Sequence, residues 1–230
     1  MEKNQKPPLR IAVPVVEPTV NRARGKYLRA ARKGLLAEMR LDYLEQPDLP
    51  RVFRTHPGPV IATNRLAAEG GRWQGPEAER QRLLEEALAL GADYLDVELA
   101  ADEAWRRELW ARRGPAKIIL SWHDFSGTPE IERLEDTLEK MLAAQADILK
   151  VVTLAREPQD NLRVLSLIPR ARAAGREIIA FCMGPPGKWS RVVAPLLGSY
   201  LSFAPFTKKR ASAPGQLTVN ELQRAWQALR

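Results

Sequence analysis

The residue least at home in its surroundings is Lys150, a single lysine in the run Asp147-Ile148-Leu149-Lys150-Val151-Val152-Thr153-Leu154. Lysines are rarely buried without a partner or a task. If the run is a strand, alternation places Lys150 on the face of Ile148 and Val152, opposite Leu149 and Val151. A lysine at the ordinary pKa of about 10.4 is neutral in about one molecule in 2,500 at pH 7. Desolvation and nearby cations such as Arg40 or Arg65 would lower that pKa and free the amine to attack a carbonyl. The alternatives are a lysine that snorkels to solvent or pairs with a carboxylate.

His123 ends another apolar run, Ala116 to His123, ahead of the turn Ser126-Gly127-Thr128-Pro129. A histidine there serves as a general acid and base near neutral pH, or as a satisfied core or capping side chain. The other histidine, His56, precedes Pro57-Gly58 and reads as surface. In Glu38-Met39-Arg40-Leu41-Asp42 the three charges share one face by the two-residue period of a strand. They form an exposed edge or ion-pair network or, inside a barrel, must pair or meet a ligand. Arg65 and Glu69 straddle the end of Pro59–Arg65, with Gly70 and Gly71 permitting an unusual loop path; a surface salt bridge is the plainer reading. Arg191 opens a helix, where charge and helix N-terminus both favour an anion. Ser212 and Gln216 bound a small-residue segment that could act as a lid. Two histidines and one cysteine cannot assemble an imidazole or thiolate metal site, and no acidic cluster resembles a calcium loop.

Such residues need a scaffold that brings strand ends together. Eight short apolar runs recur, at Leu9–Val16, Gly34–Leu41, Pro59–Arg65, Ala92–Leu99, Ala116–His123, Asp147–Leu154, Glu177–Gly184 and Tyr200–Phe206. Helical spacing is clearest in Pro76–Leu90, Pro129–Ala144, Asn161–Ala174 and Leu217–Leu229, with Gly91 and Gly175 as stops. This alternation predicts an α/β fold, a (β/α)8 TIM barrel forming one domain over residues 1–230, with an open doubly wound sheet as the alternative. A chain of 230 residues with 45% hydrophobic content can bury a core of that size.

No apolar run approaches the roughly 20 residues of a membrane span. Met1 to Arg10 lacks a signal-peptide core, and Met1–Pro8 reads as loosely held. The expectation is a cytoplasmic protein, with which the lone Cys182 agrees. The net charge of +8 raises the question of nucleic acid, but clusters such as Lys208-Lys209-Arg210 form no long basic stripe, which favours attraction of small anions instead.

In their order and spacing the motifs resemble the type I 3-dehydroquinate dehydratase family over essentially the whole chain. The resemblance rests on Glu38-x-Arg40-x-Asp42, Arg65-x-x-x-Glu69-Gly70-Gly71, Ser121-x-His123-Asp124-Phe125, Ile148-x-Lys150, Ser190-Arg191 and Ser212-Ala213-Pro214-Gly215-Gln216. It implies a hydro-lyase of the shikimate pathway that converts 3-dehydroquinate to 3-dehydroshikimate without metal or cofactor. It also implies a homodimer. Lys150 would form an imine with the C3 ketone, and His123, oriented by Glu69, would move the protons. Arg191 and Gln216 would hold the substrate carboxylate, and Glu38, Arg40, Arg65 and Ser212 its hydroxyls. Met183 and Phe203 would supply apolar wall. A class I aldolase, another lysine-imine barrel, is the alternative, although no phosphate cradle is evident after the last two strands.

Overall fold

The computed structural model describes residues 9–229, so Met1–Pro8 lies outside the described residues. Eight parallel strands alternate with helices: β1 Ile11–Val15, β2 Leu36–Arg40, β3 Val60–Thr63, β4 Tyr94–Glu98, β5 Lys117–Asp124, β6 Ile148–Leu154, β7 Glu177–Met183 and β8 Ser202–Phe203. The helices are α1 Val20–Arg32, α2 Leu49–Phe53, α3 Glu77–Ala89, α4 Glu103–Arg112, α5 Ile131–Ala143, α6 Asp160–Leu165, α7 Leu167–Ala173, α8 Ser190–Leu196 and α9 Val219–Ala228. Strand order runs β7-β6-β5-β4-β3-β2-β1-β8. Between β7 and the segment leading into β8, Tyr200 N–H donates to the Ile178 carbonyl at 2.7 Å and Ala180 N–H to the Ser199 hydroxyl at 3.4 Å, in place of a ladder. The result is a nearly closed barrel ringed by helices, as the alternation predicts.

The helices dock through apolar stripes. Val20, Ala23, Tyr27 and Ala30 of α1 recur three and four apart and are buried, as are Val219, Leu222 and Trp226 of α9. Thr218 and Glu221 close a capping box at the start of α9.

Three expected elements differ, each for a physical reason. The helix read over Asn161–Ala174 is two, α6 and α7, broken at Ser166; Pro169 has no N–H to bond the Leu165 carbonyl. The last strand shrinks from Tyr200–Phe206 to two residues, since Pro205 cannot donate to a ladder. Asp42 lies beyond β2 in the 3-10 turn Leu41–Tyr43 rather than on the strand face, yet its carboxylate still accepts from Arg40 Nε and Nη2 at 2.8 and 2.7 Å.

Candidate active site

The register sets the stage. Ser121 lies beside Lys150 and His123 beside Val152, so the lysine and the histidine sit on neighbouring strands, same side, one two-residue repeat apart. That offset is about 7 Å along the strand. Both side chains line a pocket of about 450 Å³ at the C-terminal ends of the strands, together with Glu38, Arg40, Arg65, Glu69, Met183, Arg191, Phe203, Ser212 and Gln216. Every residue singled out as a site candidate therefore meets in one place.

β6 buries Lys150 at 5% exposure, its Nζ 2.8 Å from Asp96 Oδ2 and 4.6 Å from the centre of the Phe203 ring. The lysine thus pairs with a carboxylate, that of Asp96. Asp96 is also bonded by Arg65 Nη2 and, at 2.6 Å, by the Ser121 hydroxyl. Burial alone would push the Asp96 carboxyl up, but Arg65 and Lys150 outweigh it and hold it well below the usual carboxylate range. Asp96 is thus a fixed anion and a poor proton acceptor.

The His123 ring Nδ1 lies 2.8 Å from Glu69 Oε2, which also accepts the His123 backbone N–H at 3.1 Å. Burial, then Arg65 and Lys150, push the imidazole well below its ordinary value, so it is neutral at pH 7 with Nε2 free to take a proton. Burial raises the Glu69 carboxyl to about 7 against the pull of Arg65. The Gly70-Gly71 pair explains how Glu69 gets there. A Cβ at Gly70, where φ is +75°, would lie 2.1 Å from the Phe125 ring, and one at Gly71 2.0 Å from the Arg65 carbonyl oxygen. Only glycine lets the turn fold back under His123.

The opposite wall is different in kind. Arg191, in the first turn of α8, is 1% exposed and stacks over Phe181 at 4.4 Å. Among the described residues it has no carboxylate partner; its Nη2 reaches the Pro214 carbonyl at 3.3 Å and its Nε bonds nothing. Burial pushes its guanidinium down to about 9, which leaves it charged at neutral pH. Nearby, Gln216 Oε1 accepts the Ser212 N–H at 2.9 Å and Gln216 Nε2 donates to the Ser212 hydroxyl at 3.1 Å, which ties off the loop over the mouth. On the far side Thr63 donates to Glu38 at 3.2 Å.

Sequence reasoning passed over Asp96 and Glu98, although Tyr94-Leu95-Asp96-Val97-Glu98 carries the signal, two carboxylates on one face of a buried strand. It also passed over Phe125 and Phe181, which line the pocket. Elsewhere the short basic clusters pair with carboxylates, Lys208 with Glu221 at 3.0 Å and Arg113 with Asp147 at 3.2 Å. Among the described residues no three His, Cys, Asp or Glu side chains gather as metal ligands would, and no helix is long and apolar enough to cross a membrane.

The family model for type I 3-dehydroquinase matches residues 11–230. The chain belongs to that family. Its curated relatives include the 3-dehydroquinate dehydratase of Methanosarcina acetivorans, 38% identical over 88% of each chain. That of Syntrophobacter fumaroxidans is 43% identical over 72% of this chain and 70% of its own. Among solved structures, 3-dehydroquinate dehydratase from Geobacillus kaustophilus superposes with a TM-score of 0.86 at 29% identity, covering 96% of this chain and 91% of that one. The type I fold thus holds over essentially the whole described chain.

Proposed function

We propose that this pocket performs the type I 3-dehydroquinase reaction, dehydration of 3-dehydroquinate to 3-dehydroshikimate in the shikimate pathway (EC 4.2.1.10), with Lys150 as the imine-forming group and His123 as general acid and base. The observation that carries the residue assignment is the meeting, in one pocket, of a buried lysine, a histidine held by a carboxylate, and a buried arginine without an anion.

Lys150 adds as the free amine to the C3 carbonyl, the proton shed by its ammonium form and one from the amine leave with the carbonyl oxygen as water, and a protonated imine forms. That imine withdraws electrons from C2, and neutral His123 takes the C2 proton while the electron pair becomes the C2=C3 bond of an enamine. The enamine then returns its electrons, the C1–O bond breaks, and the hydroxyl departs as water with the proton from His123. A second water hydrolyses the imine, restoring the amine and releasing the enone. One water is consumed and two are released, so the net loss is one. Glu69 accepts from the imidazole and keeps Nε2 turned to the substrate. The charged Arg191, with Gln216 beside it, receives the substrate carboxylate. Glu38, Arg40, Arg65 and Ser212 meet its hydroxyls, while Met183 and Phe203 form apolar wall. Neither metal nor cofactor enters these steps. A homodimer of a cytoplasmic enzyme is the corresponding assembly and compartment.

The direct test is to follow the ultraviolet absorbance of the conjugated product on mixing the protein with 3-dehydroquinate. Turnover by the wild type and its loss in Lys150→Ala are expected; turnover in Lys150→Ala equal to wild type would overturn the assignment.

A further inference from the structure

A line of alternating buried charges leaves the pocket through the barrel wall. Lys150 pairs with Asp96, Asp96 with Arg65, and Arg65 Nη1 with Glu98 Oε1 at 2.8 Å. The second oxygen of Glu98 is held by Arg80 Nη1 at 2.5 Å, and Arg80 in turn binds Glu77 at the protein surface. Arg80 lies on α3, does not line the pocket, and is 0% exposed, as is Glu98.

Two further contacts make Arg80 a junction. Its Nη1 also donates to the Asn64 carbonyl at 3.2 Å, at the end of the strand segment that presents Arg65. Glu98 Oε1 accepts the Leu66 N–H at 3.3 Å, at the root of the turn that carries Glu69 to His123. One guanidinium outside the pocket is thus tied to both halves of the proposed chemistry. Stability does not account for this arrangement, because a buried ion pair is commonly no better than apolar side chains of similar volume. Without Arg80, Glu98 and Asp96 would be two buried carboxylates competing for the Arg65 fork.

Resting on the reading of Lys150 and His123 given above, we propose that Arg80 is a positioning residue for the reaction: through Glu98 it holds Arg65 and Asp96 against Lys150 and steadies the turn that carries Glu69. Groups of this kind act on rate more than on affinity, since a shift of an ångström in reacting groups is felt in the chemical step.

The experiment compares wild type, Arg80→Met and the apolar pair Arg80→Met/Glu98→Met in the full chain, measuring kcat, KM, Tm and the rate at which borohydride with 3-dehydroquinate labels Lys150. In Arg80→Met, kcat and the labelling rate are expected to fall about tenfold or more with KM within about threefold, and Tm to fall because Glu98 is stranded. In the pair, Tm is expected to recover while kcat and labelling stay low. Recovery of kcat together with Tm would reduce Arg80 to a merely structural neutraliser of Glu98 and overturn the proposal, as would wild-type labelling in folded Arg80→Met. Should Arg80→Met not fold, Arg80→Lys, which keeps the charge without the fork, decides: lowered labelling at near-normal Tm supports the role, and wild-type labelling refutes it. If wild type itself labels no Lys150, the reading of the pocket fails first and takes this inference with it.

Discussion

The two walls of the pocket treat charge in opposite ways. Along β4, β6 and the segment that follows β3, Asp96, Lys150 and Arg65 are paired within the protein, and each cation faces a carboxylate before any substrate arrives. Across β7, α8 and the loop to α9, Arg191 is equally buried but meets only an aromatic face and a backbone carbonyl. A charge that is matched in the free protein is already oriented for chemistry. One that is unmatched bears a desolvation cost that an incoming anion relieves. On the proposed reading this is a division of labour, in which the first wall serves reaction and the second capture.

The largest effects are expected at the first wall. Lys150→Ala should reduce kcat by about four orders of magnitude or more in a steady-state assay, because no other amine stands in for the nucleophile. His123→Ala should lower kcat by about 10²–10⁴-fold while the borohydride-trapped adduct still forms, which separates imine formation from proton transfer. The capture wall should answer differently. In Arg191→Met, KM should rise about 100-fold, or about 3 kcal/mol, through loss of a charge-assisted contact. Calorimetry of that variant should show Tm raised by about 3 °C, since an unpaired buried charge has been removed; a lowered Tm would mean that Arg191 is matched after all. The smallest effect lies at Glu69. Folding raises its carboxyl from 4.5 to about 7, so the proton it binds stabilises the fold in full below pH 4.5, and that contribution is lost as pH rises through 7. Urea unfolding at about pH 5 and about pH 8 should show that slope in wild type and lack it in Glu69→Gln, a difference of about 2 kcal/mol.

These contrasts were unevenly legible in the sequence. A lysine inside an apolar strand or a histidine at a strand end stands out because its polarity conflicts with its neighbours, and all eleven candidates chosen that way or by family resemblance line the pocket. The strand count was legible for a related reason, since short apolar runs separated by helical spacing survive any tertiary detail. What escaped was pairing. Asp96 and Glu98 stand in a strand whose alternation shows two inward carboxylates, but which cation each meets depends on register across four strands. Arg80 was harder still: α3 reads Glu77-Ala78-Glu79-Arg80-Gln81-Arg82, charged on every side, and nothing in that string separates the buried arginine from the exposed one. The short β8 and the break at Ser166 follow from prolines whose missing N–H groups were visible, although their consequence depended on which carbonyl they faced.

Peptide mapping by mass spectrometry, after borohydride reduction of the protein with 3-dehydroquinate, tests the Lys150 imine directly. The expected result is a stable adduct on Lys150 alone, with a fraction one water lighter than the substrate adduct because dehydration precedes release. An unmodified Lys150, with substrate unchanged in solution, would contradict it.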